Sequence, residues 1–209
     1  MSAVSTPYEA GGRTRQKQRT RDALVQAAKT LVACGVTPTI EEAAAEAGIS
    51  RPTAYRYFAN QRALLAAAHP ETDATSMLPA DPPAELAHRL DLAIRTFLGL
   101  IVETEAQQRT MLRLSLEADP VERAALPLRQ GRAIGWFEEA LAPLADQLPD
   151  GAIHRLAIAI RSAVGIEALS WLTDVARLSR EDAVETMSWT AQAMLHSALA
   201  GHLPPAPVE

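Results

Sequence analysis

Residues 39–62 run Thr-Ile-Glu-Glu-Ala-Ala-Ala-Glu-Ala-Gly-Ile-Ser-Arg-Pro-Thr-Ala-Tyr-Arg-Tyr-Phe-Ala-Asn-Gln-Arg, and their punctuation leaves the backbone few choices. Thr39 and Glu42, three apart, form a capping box that satisfies the free amides of a helix start, so a helix is predicted from Ile40. Gly48 can take the left-handed conformation that stops it. Ile49 then packs inward, Ser50 is the expected next cap, and Pro52 falls in a first turn, where proline forfeits no hydrogen bond. The result is two short helices at a sharp turn.

On the second helix Ala54 and Phe58, four apart, share the docking face. Arg51, Pro52, Thr53, Tyr55, Arg56 and Tyr57 are left for the outer surface. That set suits duplex DNA: arginine reaches guanine edges or phosphate, threonine and proline touch thymine methyls, and tyrosine hydroxyls bond phosphate. In a helix-turn-helix the start of the second helix enters the major groove.

Residues 20–68 resemble the DNA-binding domain of the tetracycline-repressor-like (TetR) family of bacterial transcription regulators. The resemblance rests on Thr20 to Ala28, Ala44 to Tyr57 and Asn60 to Leu65, about a quarter of the chain. Three positions depart from the family pattern. The link from Gly35 to Ile40 is about one residue short, Ala43 replaces a larger aliphatic, and Gln61 stands where a lysine often meets phosphate. The resemblance implies an all-α fold of about nine helices: a three-helix head and a helical ligand-binding and dimerisation bundle. It also implies a homodimer, a palindromic double-stranded operator and an unidentified small-molecule effector, with repression the commonest mode and a cytoplasmic location. Arg13, Arg15, Lys17, Arg19, Thr39, Tyr57 and Asn60 are then expected on the DNA backbone, and Arg51, Pro52, Thr53, Tyr55 and Arg56 in the groove.

Charge distribution supports a basic head. Residues 1–62 hold nine Lys/Arg against five acids, net +4, so the remainder carries −9 of the total −5. Nucleic-acid affinity through counterion release depends on local charge, not on the whole-chain sum. Arg13 to Arg21 contribute five basic residues and no acid just before the apolar spacing Leu24, Ala28, Leu31, which predicts the inner face of a first helix. Such a basic run can lie along phosphates or in the minor groove. Residues 1–12 are expected to be a disordered tail. Cys34 cannot form an internal disulfide and is expected as a small buried residue at a helix end.

The head is expected to span 13–69, with Asn60 capping a fourth helix that His69-Pro70 stops or kinks. Residues 70–83, rich in proline, read as a linker, 84–201 as the ligand-binding and dimerisation domain and 202–209 as a tail. With aromatics at 4% and Ala and Leu dominant, helix-on-helix packing is predicted throughout. Asp81-Pro82 is expected to open a helix bearing Leu86, Leu90, Ile94, Phe97 and Ile101. Another is expected over 128–148, kinked at Pro143. Asp150 should cap a helix over 152–177, and Ser179 with Asp182 should box the last, over 180–200. Those two are apolar around much of their circumference, the last through Val184, Met187, Ala191, Met194, Leu195, Ala198 and Leu199. A second copy would cover what a monomer leaves exposed. No run approaches the roughly 18 apolar residues of a membrane span, so no membrane partner is expected.

Catalytic signatures do not surface. There is no phosphate loop, Cys-x-x-Cys, Gly-x-Ser-x-Gly or His-Glu-x-x-His, and the five histidines include no pair four apart. Glu85-x-x-His88 is half of a di-iron motif that needs two copies. No metal or cofactor is therefore expected. Glu167, on an apolar stripe between Val164 and Trp171, needs a partner: an arginine, across a dimer for instance, or a ligand. Arg113 and Glu117 carry the same two readings. Phe97, Met111, Trp136 and Trp171 are either core or the lining of an apolar pocket. A helical carrier or enzyme using its head for protein contact is the competing class.

Overall fold

The computed structural model describes residues 7–68, 74–117 and 131–206, with side chains from residue 14. It is all-α, with no strand among the described residues. The head comprises α1 (Pro7–Ala33), α2 (Ile40–Glu46), α3 (Arg51–Tyr55) and α4 (Gln61–Ala67). Leu24 and Ala28 of α1 meet Ile40, Ala43, Ala44, Ala54, Phe58 and Leu64 in one small core. Ala43 is fully enclosed, so its small side chain marks a tight approach of helices.

Three expectations for the head are corrected. The helix begins at Pro7 and runs through much of the anticipated tail. Once Leu24, Ala27 and Ala28 anchor α1, each added residue gains a hydrogen bond without a new nucleus, and Pro7 at the first position loses none. Val32 faces inward in place of Leu31, and Cys34 is exposed at the helix end. His69 and Pro70 lie outside the described residues; α4 has already closed at Ala68, whose amide bonds the Leu64 and Leu65 carbonyls.

The body contains α5 (Leu86–Glu103), α6 (Glu105–Glu117), α7 (Arg132–Leu141), α8 (Ala152–Ala163), α9 (Ile166–Ser170), a π turn over Trp171–Val175 and α10 (Arg180–Leu199). Phe97 sits at its centre, edge-on to Phe137 at 5.5 Å and tilted against Trp136 at 6.1 Å. Leu90, Ile94, Leu141, Leu156, Ile160 and Leu195 close around them. Part of the expected linker also belongs here: Met77 is buried, and the Trp136 indole donates to the Thr75 carbonyl at 3.2 Å.

Helix boundaries in the body differ from the sequence reading for local reasons. Glu85, not Asp81-Pro82, starts α5: its carboxylate accepts from the amides of Ala87 and His88 at 2.9 and 2.7 Å. Those two amides hold the acid below the usual carboxylate range. The half di-iron motif is thus a helix cap. Pro143 does not kink a longer helix but ends α7 in a 3-10 turn, as expected where a proline lacks the N–H that would continue the ladder. Asp119-Pro120, expected from the sequence to close a helix over 108–118, and the anticipated start of the next helix at Leu128 lie outside the described residues. Gly151, with φ 71°, precedes α8 without a side-chain cap, so Asp150 does not cap it.

The largest departure is at Val164-Gly165. Val164 is extended (φ −126°, ψ 144°) and Gly165 has φ 123°, splitting the expected helix over 152–177. The Arg161 guanidinium closes the break by donating to the Val164 carbonyl at 2.9 Å, and a Cβ on Gly165 would lie 2.7 Å from it. The break resets the faces. Trp171, expected on one apolar stripe with Val164, is 59% exposed, and Glu167 takes Arg161 of its own chain at 3.2 Å. By length and composition alone, Ala152–Val175, at mean hydropathy 1.4, is apolar enough to cross a membrane, a longer apolar stretch than the sequence reading allowed. Its Leu156, Ala157, Ile160, Val164 and Leu169 face the bundle core.

Candidate nucleic-acid interface

The turn between α2 and α3 is built as its residues require. The Glu42 amide donates to the Thr39 hydroxyl at 3.2 Å, and the Thr39 amide and hydroxyl donate to the Glu42 carboxylate at 2.7 and 3.0 Å. The Glu42 carboxyl is held low, first by the Thr39 amide and then by its hydroxyl. Thr39→Ala is expected to lower the free energy of unfolding by about 0.5 to 2 kcal/mol, read from a urea melt. Gly48, at φ 64°, lets the chain reverse so that the Ile49 amide reaches the Ala44 carbonyl at 2.8 Å. Ser50 stands at the N-cap position with no side-chain cap; its hydroxyl instead bonds the Thr53 hydroxyl at 2.9 Å.

Ala54 is the buried residue of α3, and Phe58 follows it into the head core. Arg51, Pro52, Tyr55 and Arg56 are exposed, with Thr53 and Tyr57 half-buried. Four of the residues expected to read DNA are therefore open to solvent, while Tyr57 packs partly against the core. Arg15, Lys17 and Arg19 are exposed along α1, a helical stretch rather than an extended arm. Arg13 is helical in backbone, its side chain outside the described residues. The Thr39 hydroxyl serves the capping box. Asn60 accepts from the Ala63 amide at 2.8 Å, as its capping role predicts.

Two sets of contacts here were not anticipated. Gln61 donates to the carbonyls of Thr37 and Pro38 at 3.3 and 2.9 Å, fastening α4 to the short link before α2. Glu41, on the first turn of α2, accepts the Tyr55 phenol at 2.7 Å and pairs with Arg51 at 2.8 Å through the same oxygen. The Tyr55 hydrogen bond leads the causes that lower the Glu41 carboxyl below its ordinary value, with Arg51 adding to it. No sequence periodicity points to a contact fourteen residues apart; it depends on the angle between two helices.

The residues considered for a ligand do not converge. Phe97 and Trp136 are core, Arg113 pairs with Glu117 at 3.1 Å on an exposed surface, and Glu167 and Trp171 face outward. Met111 borders a cavity of about 10 Å³ with Lys29, Val32, Leu65, Ala68 and Gln107, room for about one water.

A short helix offering arginine, tyrosine and proline outward, fixed across a left-handed glycine turn, is a helix-turn-helix reading head. Residues 23–68 match the family of bacterial regulatory proteins, tetR family, covering α2 to α4 and the C-terminal part of α1. No curated protein matches the chain. The chain is thus a DNA-binding transcriptional regulator with a tetR-type head.

Proposed function

We propose that the protein is a cytoplasmic homodimeric repressor that binds a palindromic operator and is released by a small molecule held in residues 84–201. The observation that carries this reading is the joint exposure of Arg51, Pro52, Tyr55 and Arg56 on a helix pinned from behind by Ala54 and Phe58. Arg15, Lys17, Arg19, Thr39, Tyr57 and Asn60 surround that surface in sequence as its phosphate-facing rim.

Support for pairing comes from α10. Met187, Ala191, Leu195 and Ala198 are absorbed by the protein's own core, but Trp189 is 71% exposed, with Ala193 and Ser197 following on the solvent side at four-residue spacing. The outward face is therefore smaller and more mixed than the sequence suggested. An exposed tryptophan beside small side chains favours close approach of a second helix. Two-fold pairing places two heads for two half-sites.

Support for release comes from α6, which touches both the head and the body. Met111 and Leu114 pack with Val32, Leu65 and Ala66 of the head, and the Gln107 amide donates to the Lys29 carbonyl at 3.1 Å. On another side of the same helix Arg109 holds Glu105 at 2.7 Å and Asp174 of the π turn at 2.6 Å. Burial alone would raise the Glu105 carboxyl, but hydrogen bonds from Arg180 and Arg109 keep it below its ordinary value. An effector that shifts α6 or the π turn would move the heads, provided it binds one arrangement better than the other.

Arg56→Ala tests the reading. It is expected to cost about 1 to 3 kcal/mol of binding to a duplex selected by the wild-type protein, measured by fluorescence anisotropy. Unchanged affinity would instead favour the carrier or enzyme whose head contacts protein.

A further inference from the structure

We propose that Glu41 sets the sequence discrimination of the reading head by keeping Arg51 and Tyr55 from pairing indiscriminately with phosphate. The inference rests on the DNA-binding reading of α3 and adds a positioning residue from the neighbouring helix. One oxygen of Glu41 receives both the Tyr55 hydroxyl and the Arg51 guanidinium, at 2.7 and 2.8 Å. The guanidinium also lies over the Tyr55 ring, 5.8 Å from its centroid. Arg51 is thus held on two sides by its own protein while remaining on the outward surface.

A carboxylate on a face that meets a polyanion opposes binding, so its effect on selectivity decides whether it helps. An unrestrained arginine on a flexible stem pairs with phosphate on any duplex, a contact that carries no sequence information. Glu41 competes for that same charge. Exposed ion pairs are individually weak, so Glu41 biases Arg51 away from phosphate and does not bar it. A guanine edge is different: it offers two acceptors in fixed geometry, and arginine has five N–H donors, of which the Glu41 contact needs only some. Arg51 can therefore meet a correctly placed guanine while still resting on Glu41. The tyrosine hydroxyl, whose proton is committed to the carboxylate, is likewise withheld from phosphate.

The test compares wild type, Glu41→Gln, Arg51→Ala and the double variant of the full chain. Each binds two probes over a range of salt: a duplex selected from random DNA by the wild type, and a scrambled duplex of the same composition. Glu41→Gln is expected to bind the scrambled duplex more tightly and to narrow the selected-to-scrambled ratio about three- to tenfold. Its salt slope on scrambled DNA should steepen by about 0.9 for each phosphate gained. In the Arg51→Ala background the substitution should move the ratio much less. The proposal is overturned if Glu41→Gln leaves ratio and slope unchanged. It is equally overturned if the shift is as large without Arg51, since bulk charge would then explain it. Glu41→Asp, too short to serve both partners, should shift the ratio in the same direction and decides the matter if the glutamine variant does not fold. Wild-type protein that binds neither duplex would refute the reading of the head itself, a result distinct from any change at Glu41.

Discussion

Trp189→Glu is expected to turn the proposed dimer into monomers and to weaken operator binding by about 10²- to 10⁴-fold. The side chain is 71% exposed in the single chain, so a charge there disturbs little of the protomer's own packing. In a two-fold interface the same substitution appears twice, bringing two carboxylates into an apolar contact where neither has a partner. The loss of DNA affinity follows from connectivity. A head tethered to a partner already seated on its half-site rebinds at millimolar effective concentration, and a monomer loses that advantage. Sedimentation velocity and anisotropy on the same samples check both halves. A variant that stays dimeric would place the interface elsewhere; one that becomes monomeric yet keeps full affinity would remove the need for two heads.

Phe97→Ala is expected to cost about 3 to 5 kcal/mol of stability, a large share of what holds a domain of this size together. Phe97 is fully enclosed and supports Trp136 and Phe137 at once, so truncation leaves a void with rigid aromatic walls. The partly buried Arg161 guanidinium also lies over its ring, 5.8 Å from the centroid. Trp171→Ala, by contrast, removes an exposed ring and is expected to stay within about 0.5 kcal/mol of wild type. Urea unfolding of the two variants separates the cases. Equal losses would mean that the break at Val164-Gly165 does not turn Trp171 outward.

Much of the head was legible because its signals are local. A capping box, a glycine that must be left-handed and a proline in a first turn each act within a few residues, and Thr39, Gly48 and Pro52 stand as predicted. The Ala54–Phe58 face likewise needed only helical spacing. What sequence could not supply was set by contacts between elements. Glu41 meets Tyr55, and Gln61 meets Thr37 and Pro38, only once the helices have docked.

The body was less legible for a related reason. A helix apolar on every side gives no register, so nothing in periodicity marked Val164-Gly165 as a break, although glycine alone tolerates φ 123° there. The break in register then moved Trp171 and Glu167 from the inner face to the surface. Trp189 has no periodic signal of its own, because the apolar pattern of α10 is carried by Met187, Leu195 and their neighbours, which the chain buries by itself.

Selection of bound duplexes from random DNA by the full-length protein, followed by a salt titration on the enriched sequence, tests the central claim most directly. The account predicts one two-fold symmetric sequence with half-sites about a helical turn apart, bound by a dimer. Its affinity should fall steeply as salt rises. Failure to enrich any sequence, with attachment to duplex DNA indifferent to salt, would contradict it.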